Sequence, residues 1–294
     1  MAGSKQIHLG LLVFTFFLLC WNPTPVRAEP SENAIEFEYK AGSKKGPEHW
    51  GELKKEWNTC KDGKSQSPID LRDGIATKVN SSLEHFKVSY KPAEAKIENE
   101  GPVIAIVWEG DAGSISINGT DYILRQCHWH SPSEHSINGK RYDLELHMVH
   151  RAQNNNVAVV GFLYKIGEPN PFLSEVTKEI ASMTDVEKDV QLGVIDPRKM
   201  KEAQTGLLVS KFYRYMGSFT TPPCTEGVTW TINEQVLSVS KSQVTLLQQV
   251  VFDGVNRAAG AVCGGRSRVE KIWRVEREKI WRVEREKELW EPRG

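Results

Sequence analysis

The sequence predicts a single large, mostly-β domain with a few peripheral helices. Three observations carry that reading. Between Phe86 and Tyr164 the chain runs in short stretches of alternating apolar and polar residues, the period of a half-buried strand. Turn dipeptides and tripeptides punctuate those stretches. Only two segments have the spacing of an amphipathic helix.

The strands are read in order as "FKVSY", "PVIAIVW", "SISING", "YILRQCHWH", "LELHMVH" and "VAVVGFLYKI". "EGD", "NGT" and "NGK" mark tight turns between them. "PFLSEVTKEIASM" reads as one helix, with Leu173, Val176 and Ile180 on one face. "KSQVTLLQQVVFDGV" reads as the second, capped by Ser240 or Ser242.

The chain has 294 residues, with 38 basic and 38 acidic side chains. A balanced charge argues against a nucleic-acid surface. Lys5 precedes the apolar run Leu9–Trp21, and Val26 and Ala28 follow at small-residue positions. That pattern reads as a secretory signal peptide ending at about Ala28. No later segment is long and apolar enough to span a bilayer, so a protein that is secreted or held in another secretory-pathway compartment, without a stable membrane anchor, is expected. Cys20 leaves with the signal, and four cysteines remain with three possible pairings. Asn80 and Asn118 stand in glycosylation sequons.

The domain is read as residues 29–262, followed by a tail from Cys263 to Gly294. "KIWRVERE" occurs there twice in tandem, at Lys271 and Lys279. Glu270–Arg274 and Glu278–Arg282 have helical spacing. The tail reads as a charged helical appendage or a disordered extension.

Five of the eight histidines fall between Gln126 and His150. His128 and His130 are two residues apart on a strand, so they share a face. "DLELHMVH" also alternates. As an antiparallel neighbour it would bring His147 across from them. Three imidazoles from two strands are the protein half of a catalytic zinc site, which keeps its fourth position open. Hydrogen-bonded core histidines would give the same spacing. Gln126 shares the face of His128 and Glu145 that of His147, so each is placed to accept a ligand's second N–H.

"CHWHSPSEHSINGKRYDLELHMVH" and "YRYMGSFTTPPCTEGVTWTI", with "GPEHWGEL" and "QSPIDL" upstream, resemble the α-class carbonic anhydrase family, in particular its secreted plant branch. The resemblance covers roughly residues 35–255. It implies a central twisted, mostly antiparallel sheet of about ten strands. It implies reversible hydration of carbon dioxide to bicarbonate by zinc-generated hydroxide, with Zn²⁺ on His128, His130 and His147. Thr220 matches the threonine that orients the nucleophile, Glu134 the glutamate that accepts from it, and Thr221 its substrate-side neighbour. Gln126 and Glu145 match the partners of the ligands. Val149, Val159, Phe219, Val228 and Trp230 match the apolar carbon dioxide pocket. His135 and Tyr215 match structural hydrogen-bonding positions. Cys60 and Cys224 match the disulfide of secreted members, which leaves Cys127 packing behind the sheet and Cys263 over.

Two departures stand out. Pro102 occupies the position where many active members carry a proton-shuttling histidine, so a weakened, buffer-dependent turnover is expected. After "VVFDGVNRA" the family's Asn-x-Arg-Pro segment and last strand are replaced by "AGAVCGG" and the repeats. The rival reading is a storage or binding protein on the same fold, like the dioscorins of yam tubers. The resemblance recognises the dioscorins by a non-histidine third ligand, whereas this chain keeps His147.

Overall fold

The computed structural model describes residues 36–72, 76–80, 86–184, 188–200 and 211–251. The expected signal peptide, Cys263 and the repeat tail lie outside them, as does the side chain of Asn80. The described residues belong to one compact unit beginning at Ile35. No helix among them is long and apolar enough to cross a membrane.

Among the described residues, fifteen strands form in chain order. The first six are β1 (Asp70–Leu71), β2 (Thr77–Asn80), β3 (Lys87–Tyr90), β4 (Ala93–Asn99), β5 (Ile104–Trp108) and β6 (Gly113–Ile117). Then come β7 (Thr120–His130), β8 (Ser136–Ile137), β9 (Lys140–Arg141), β10 (Leu144–Arg151) and β11 (Val157–Ile166). The last are β12 (Asp189–Ile195), β13 (Lys211–Ser218), β14 (Glu226–Asn233) and β15 (Leu237–Val239). All six strands read from periodicity are present. β1, β8 and β9 make a small separate sheet.

The main sheet has twelve strands rather than about ten. Nine lie side by side in the order β12-β4-β5-β7-β10-β11-β14-β13-β2, while β3, β6 and β15 pair off that path. The off-path strands are short, three to five residues each. Pairing is antiparallel except where β11 meets β14 and β15. β11 is an interior strand, buried over residues 157–164. Its unbroken apolar run packs on both faces, Val160 and Phe162 behind and Val159 and Leu163 in front.

Local chemistry explains the connections. Asn118 and Gly119 take φ of 50° and 80°, and Asn138 and Gly139 take 49° and 79°. These are the two positive-φ residues of a two-residue hairpin turn, which asparagine and glycine tolerate best. Ser240 caps the helix Lys241–Val250 in a reciprocal capping box with Gln243. The other expected helix is broken into Pro171–Glu175 and Thr177–Ser182 at the buried Val176. Ser174 Oγ and Thr177 Oγ donate to the carbonyls of Asn170 and Leu173 at 3.0 and 2.8 Å. Such back-bonding competes with the helical ladder and bends it.

Behind the sheet, Cys127 is a fully buried thiol outside any disulfide, in the larger core. His150 is buried on the same side, with Tyr90 Oη 2.8 Å from its Nε2 and the Ala158 carbonyl 3.3 Å from its Nδ1. Burial lowers its pKa to about 3, outweighing the backbone hydrogen bonds that raise it. The folded protein therefore resists a proton that the unfolded chain takes up near pH 6.5. Stability should be fully present above that pH and fall by about 1.4 kcal/mol per pH unit as pH drops toward 3. Urea unfolding followed from pH 7 to 4 should show a slope smaller by one proton in His150→Gln than in the parent chain.

Candidate metal centre

β7 and β10 build the centre by register. His147 pairs directly with His128, and Glu145 with His130. Directly paired residues point to the same face, so His128, His130 and His147 converge. Their ring centroids lie 4.6–5.2 Å apart, and their candidate ligand nitrogens all lie within 4.8 Å of one another. His130 and His147 are buried and His128 is half-buried.

The outer nitrogens are committed. Gln126 Oε1 is 2.7 Å from His128 Nδ1, and Glu145 Oε1 is 2.8 Å from His147 Nε2. Both oxygens accept, so these nitrogens carry the protons. That leaves lone pairs on His128 Nε2 and His147 Nδ1, which face each other at 3.3 Å. Two acceptors held that close are stable only around a shared cation or proton. The donor set of neutral imidazoles fits Zn²⁺. His130 presents its Nδ1 to Glu134 Oε1 at 3.3 Å.

Glu145 is fully buried and accepts four hydrogen bonds. Its Oε1 takes those of His135 and His147, at 2.7 and 2.8 Å. Its Oε2 takes the backbone N–H groups of Glu134 and His135, at 2.7 and 2.8 Å. Burial pushes its pKa up, but the imidazoles of His135 and His147 outweigh that and hold it well below the usual carboxylate range. The carboxylate fixes His135 with Nδ1 protonated, so His135 Nε2 accepts from Tyr215 Oη at 2.7 Å. Tyr215 in turn accepts from Ser67 Oγ at 2.8 Å. Burial raises the Tyr215 pKa well above its ordinary value, more than the Ser67 bond lowers it, and keeps it a donor. Ser67 and Ser218 then exchange backbone-to-hydroxyl bonds at 2.9 and 3.1 Å.

That chain ends at the loop bearing Thr220 and Thr221. Thr220 is buried and Thr221 half-buried. Phe219 N–H donates to the Thr225 carbonyl at 3.0 Å, and Cys224 N–H to that of Thr221 at 2.9 Å. Cys60 and Cys224 form a disulfide across 164 residues. Beside it, Gln66 Nε2 donates to the Cys224 carbonyl and to Glu226 Oε1, at 3.1 and 3.0 Å.

An apolar row flanks the histidines. Val149 pairs with Gln126 on one side and Val159 on the other, and Val159 pairs with Trp230. Val228 and Phe219 join the same cluster. The Trp230 ring stands 4.8 Å from those of both His147 and His135. Gly161 lies opposite His147. A Cβ there would meet Ile232 Cδ1 at 2.5 Å and Glu145 Oε1 at 3.5 Å. Asn118 is exposed in its turn.

Periodicity alone could find the three histidines, Gln126 and Glu145. It could not find Ser67 or Gly161, because "QSPI" reads as a turn and a strand glycine has no chemistry of its own. Glu145→Gln should weaken zinc binding about 10- to 100-fold, the usual cost of losing a ligand's outer partner. Competition with a chromogenic chelator measures it, and an unchanged affinity would contradict the orienting role.

Comparison with known proteins follows the same residues. A family model described as eukaryotic-type carbonic anhydrase matches residues 45–277. Alpha carbonic anhydrase 4 of Arabidopsis thaliana is 46% identical over 245 residues, 82% of this chain and 86% of that protein. Dioscorin DB3S of Dioscorea polystachya is 43% identical over 260 residues, 88% of this chain and 91% of that protein. The crystal structure of dioscorin complexed with ascorbate superposes with a TM-score of 0.70 at 42% identity, covering 76% of this chain and 92% of that one. With the three-histidine face on β7 and β10 and these matches along most of its length, the chain belongs to the eukaryotic-type carbonic anhydrase family.

Proposed function

We propose that the protein catalyses the reversible hydration of carbon dioxide to bicarbonate and a proton, with Zn²⁺ held by His128, His130 and His147. The observation that carries this reading is the pair of lone-pair nitrogens facing each other at 3.3 Å inside a three-imidazole cluster. Zinc in such a site lowers the pKa of water to about 7 and so supplies a nucleophile at neutral pH.

The chain's own residues do the rest. Gln126 and Glu145 hold two imidazoles with their lone pairs inward. Val149, Val159, Phe219, Val228 and Trp230 offer an apolar wall suited to an uncharged substrate and poor for bulk water. By the family resemblance, Thr220 would accept a hydrogen bond from the nucleophile and donate its own to Glu134, which would fix the direction of attack. Thr221 lies on the substrate side. The disulfide holds the threonine loop to the N-terminal segment. A disulfide persists in an oxidising compartment, which agrees with a secreted protein. Glycosylation at Asn118 is compatible with its exposed turn; Asn80 is the other sequon.

A second reading, a storage or binding protein with little activity, is favoured by the similarity to dioscorins and by Pro102. Stopped-flow hydration of carbon dioxide, on protein of measured zinc content, separates the two. Activity should track zinc, rise with buffer concentration, and fall at least about 100-fold in His147→Ala, as when a catalytic metal's chemistry is removed. Full zinc occupancy with no rate above the uncatalysed one would leave the storage reading.

A further inference from the structure

Each hydration event releases one proton, which must leave the cleft. At the β4–β5 hairpin tip the chain has Pro102, which has no titratable group. The imidazoles of His135 and His150 are occupied by Glu145 and Tyr215, and by Tyr90 and the Ala158 carbonyl.

The strand register shows what faces the histidines instead. Ala105 pairs with His128, and Val107 with Gln126. Across β5, Glu98 pairs with Ala105 and Lys96 with Val107. The alternate residues of β4, Ala95, Ile97 and Asn99, are buried. Lys96 and Glu98 therefore point to the metal side. The Glu100 N–H donates to the Val103 carbonyl at 3.0 Å, which carries the pairing one step further and puts Glu100 on that side too. Continued by two residues, the β5–β7 register sets Val103 beside His130. Glu100 thus stands two strand spacings, about 10 Å, from the histidine-bearing strand.

The two carboxylates of this wall differ. Lys96 holds Glu98 at 2.6 Å and reaches Asp189 on β12 at 3.6 Å. Glu100 is exposed beyond that ion pair. The β5 residues facing the wall, Val103, Ala105 and Val107, carry no charge.

We propose that Glu100 is the proton acceptor of this cleft, taking the proton of carbon dioxide hydration through intervening water and passing it to buffer. The carboxylate becomes a carboxylic acid when it receives the proton and a carboxylate again when a buffer base removes it. This rests on the carbonic anhydrase reading above. Solvent reaches Glu100, yet protein crowds it enough that desolvation raises its pKa, and the Glu98 charge adds to the rise. The shift moves it toward the range in which a carboxylate exchanges protons with a donor near neutrality.

The test is ¹⁸O exchange between carbon dioxide and water at chemical equilibrium, on the zinc-loaded full chain without buffer. One data set gives the carbon dioxide–bicarbonate interconversion rate and the rate at which label escapes to solvent, which requires a proton. Glu100→Gln should slow label escape about tenfold; added imidazole, or Glu100→Asp, should restore it. In ¹³C NMR the Glu100 carboxyl of the metal-free chain should titrate above the ordinary glutamate value of about 4.3. Label escape unaffected by Glu100→Gln, a loss that neither imidazole nor aspartate repairs, or a carboxyl titrating at or below its ordinary value would overturn the proposal. A zinc-loaded parent chain with no interconversion would instead overturn the carbonic anhydrase reading and this inference with it.

Discussion

The carboxylate of Glu145 is the constraint from which the rest of the centre follows. An ionised group buried without water is tolerated only when its lone pairs are met by donors. Here four donors meet them, from His135, His147 and two successive backbone amides. Removing one partner of a buried charge costs about 3–5 kcal/mol, so the segment Glu134–His135 cannot drift from β10. That requirement fixes the His147 tautomer and, through His135 and Tyr215, reaches Ser67 and Ser218 at the base of the threonine loop. The histidine cluster and the threonine loop thus share one hydrogen-bonded chain.

The cleft divides into two unlike walls for a topological reason. β11 is buried on both faces, and the site-facing residues of β14, Val228, Trp230 and Ile232, are buried, so these strands contribute only apolar side chains or glycine beside the histidines. β4 lies toward the β12 edge of the sheet. Its outward face is near enough to water to carry Lys96, Glu98 and Glu100. On the proposed function, the first wall would suit an uncharged substrate and the second a departing proton.

Much of this was legible in the sequence because strand alternation has a strict period of two. His128 and His130, and with them Gln126, had to share a face. "LELHMVH" had to place Glu145 and His147 together. The short strands were less legible. β1, β8, β9 and β15, of two or three residues, are too brief to show a period, and tertiary pairing alone defines them. The break at Val176 escaped because the apolar spacing continues through it, while the hydroxyls of Ser174 and Thr177 decide the backbone. The Cys60–Cys224 link joins residues 164 positions apart. Composition left three pairings open, and family resemblance chose among them.

The most direct measurement is zinc K-edge X-ray absorption on protein loaded with one equivalent of Zn²⁺. The account predicts three imidazole nitrogens at about 2.0 Å with one further light-atom ligand, the coordination of an open catalytic zinc. A first shell of sulfur, a shell of oxygens with fewer than three imidazoles, or no retained zinc would contradict it.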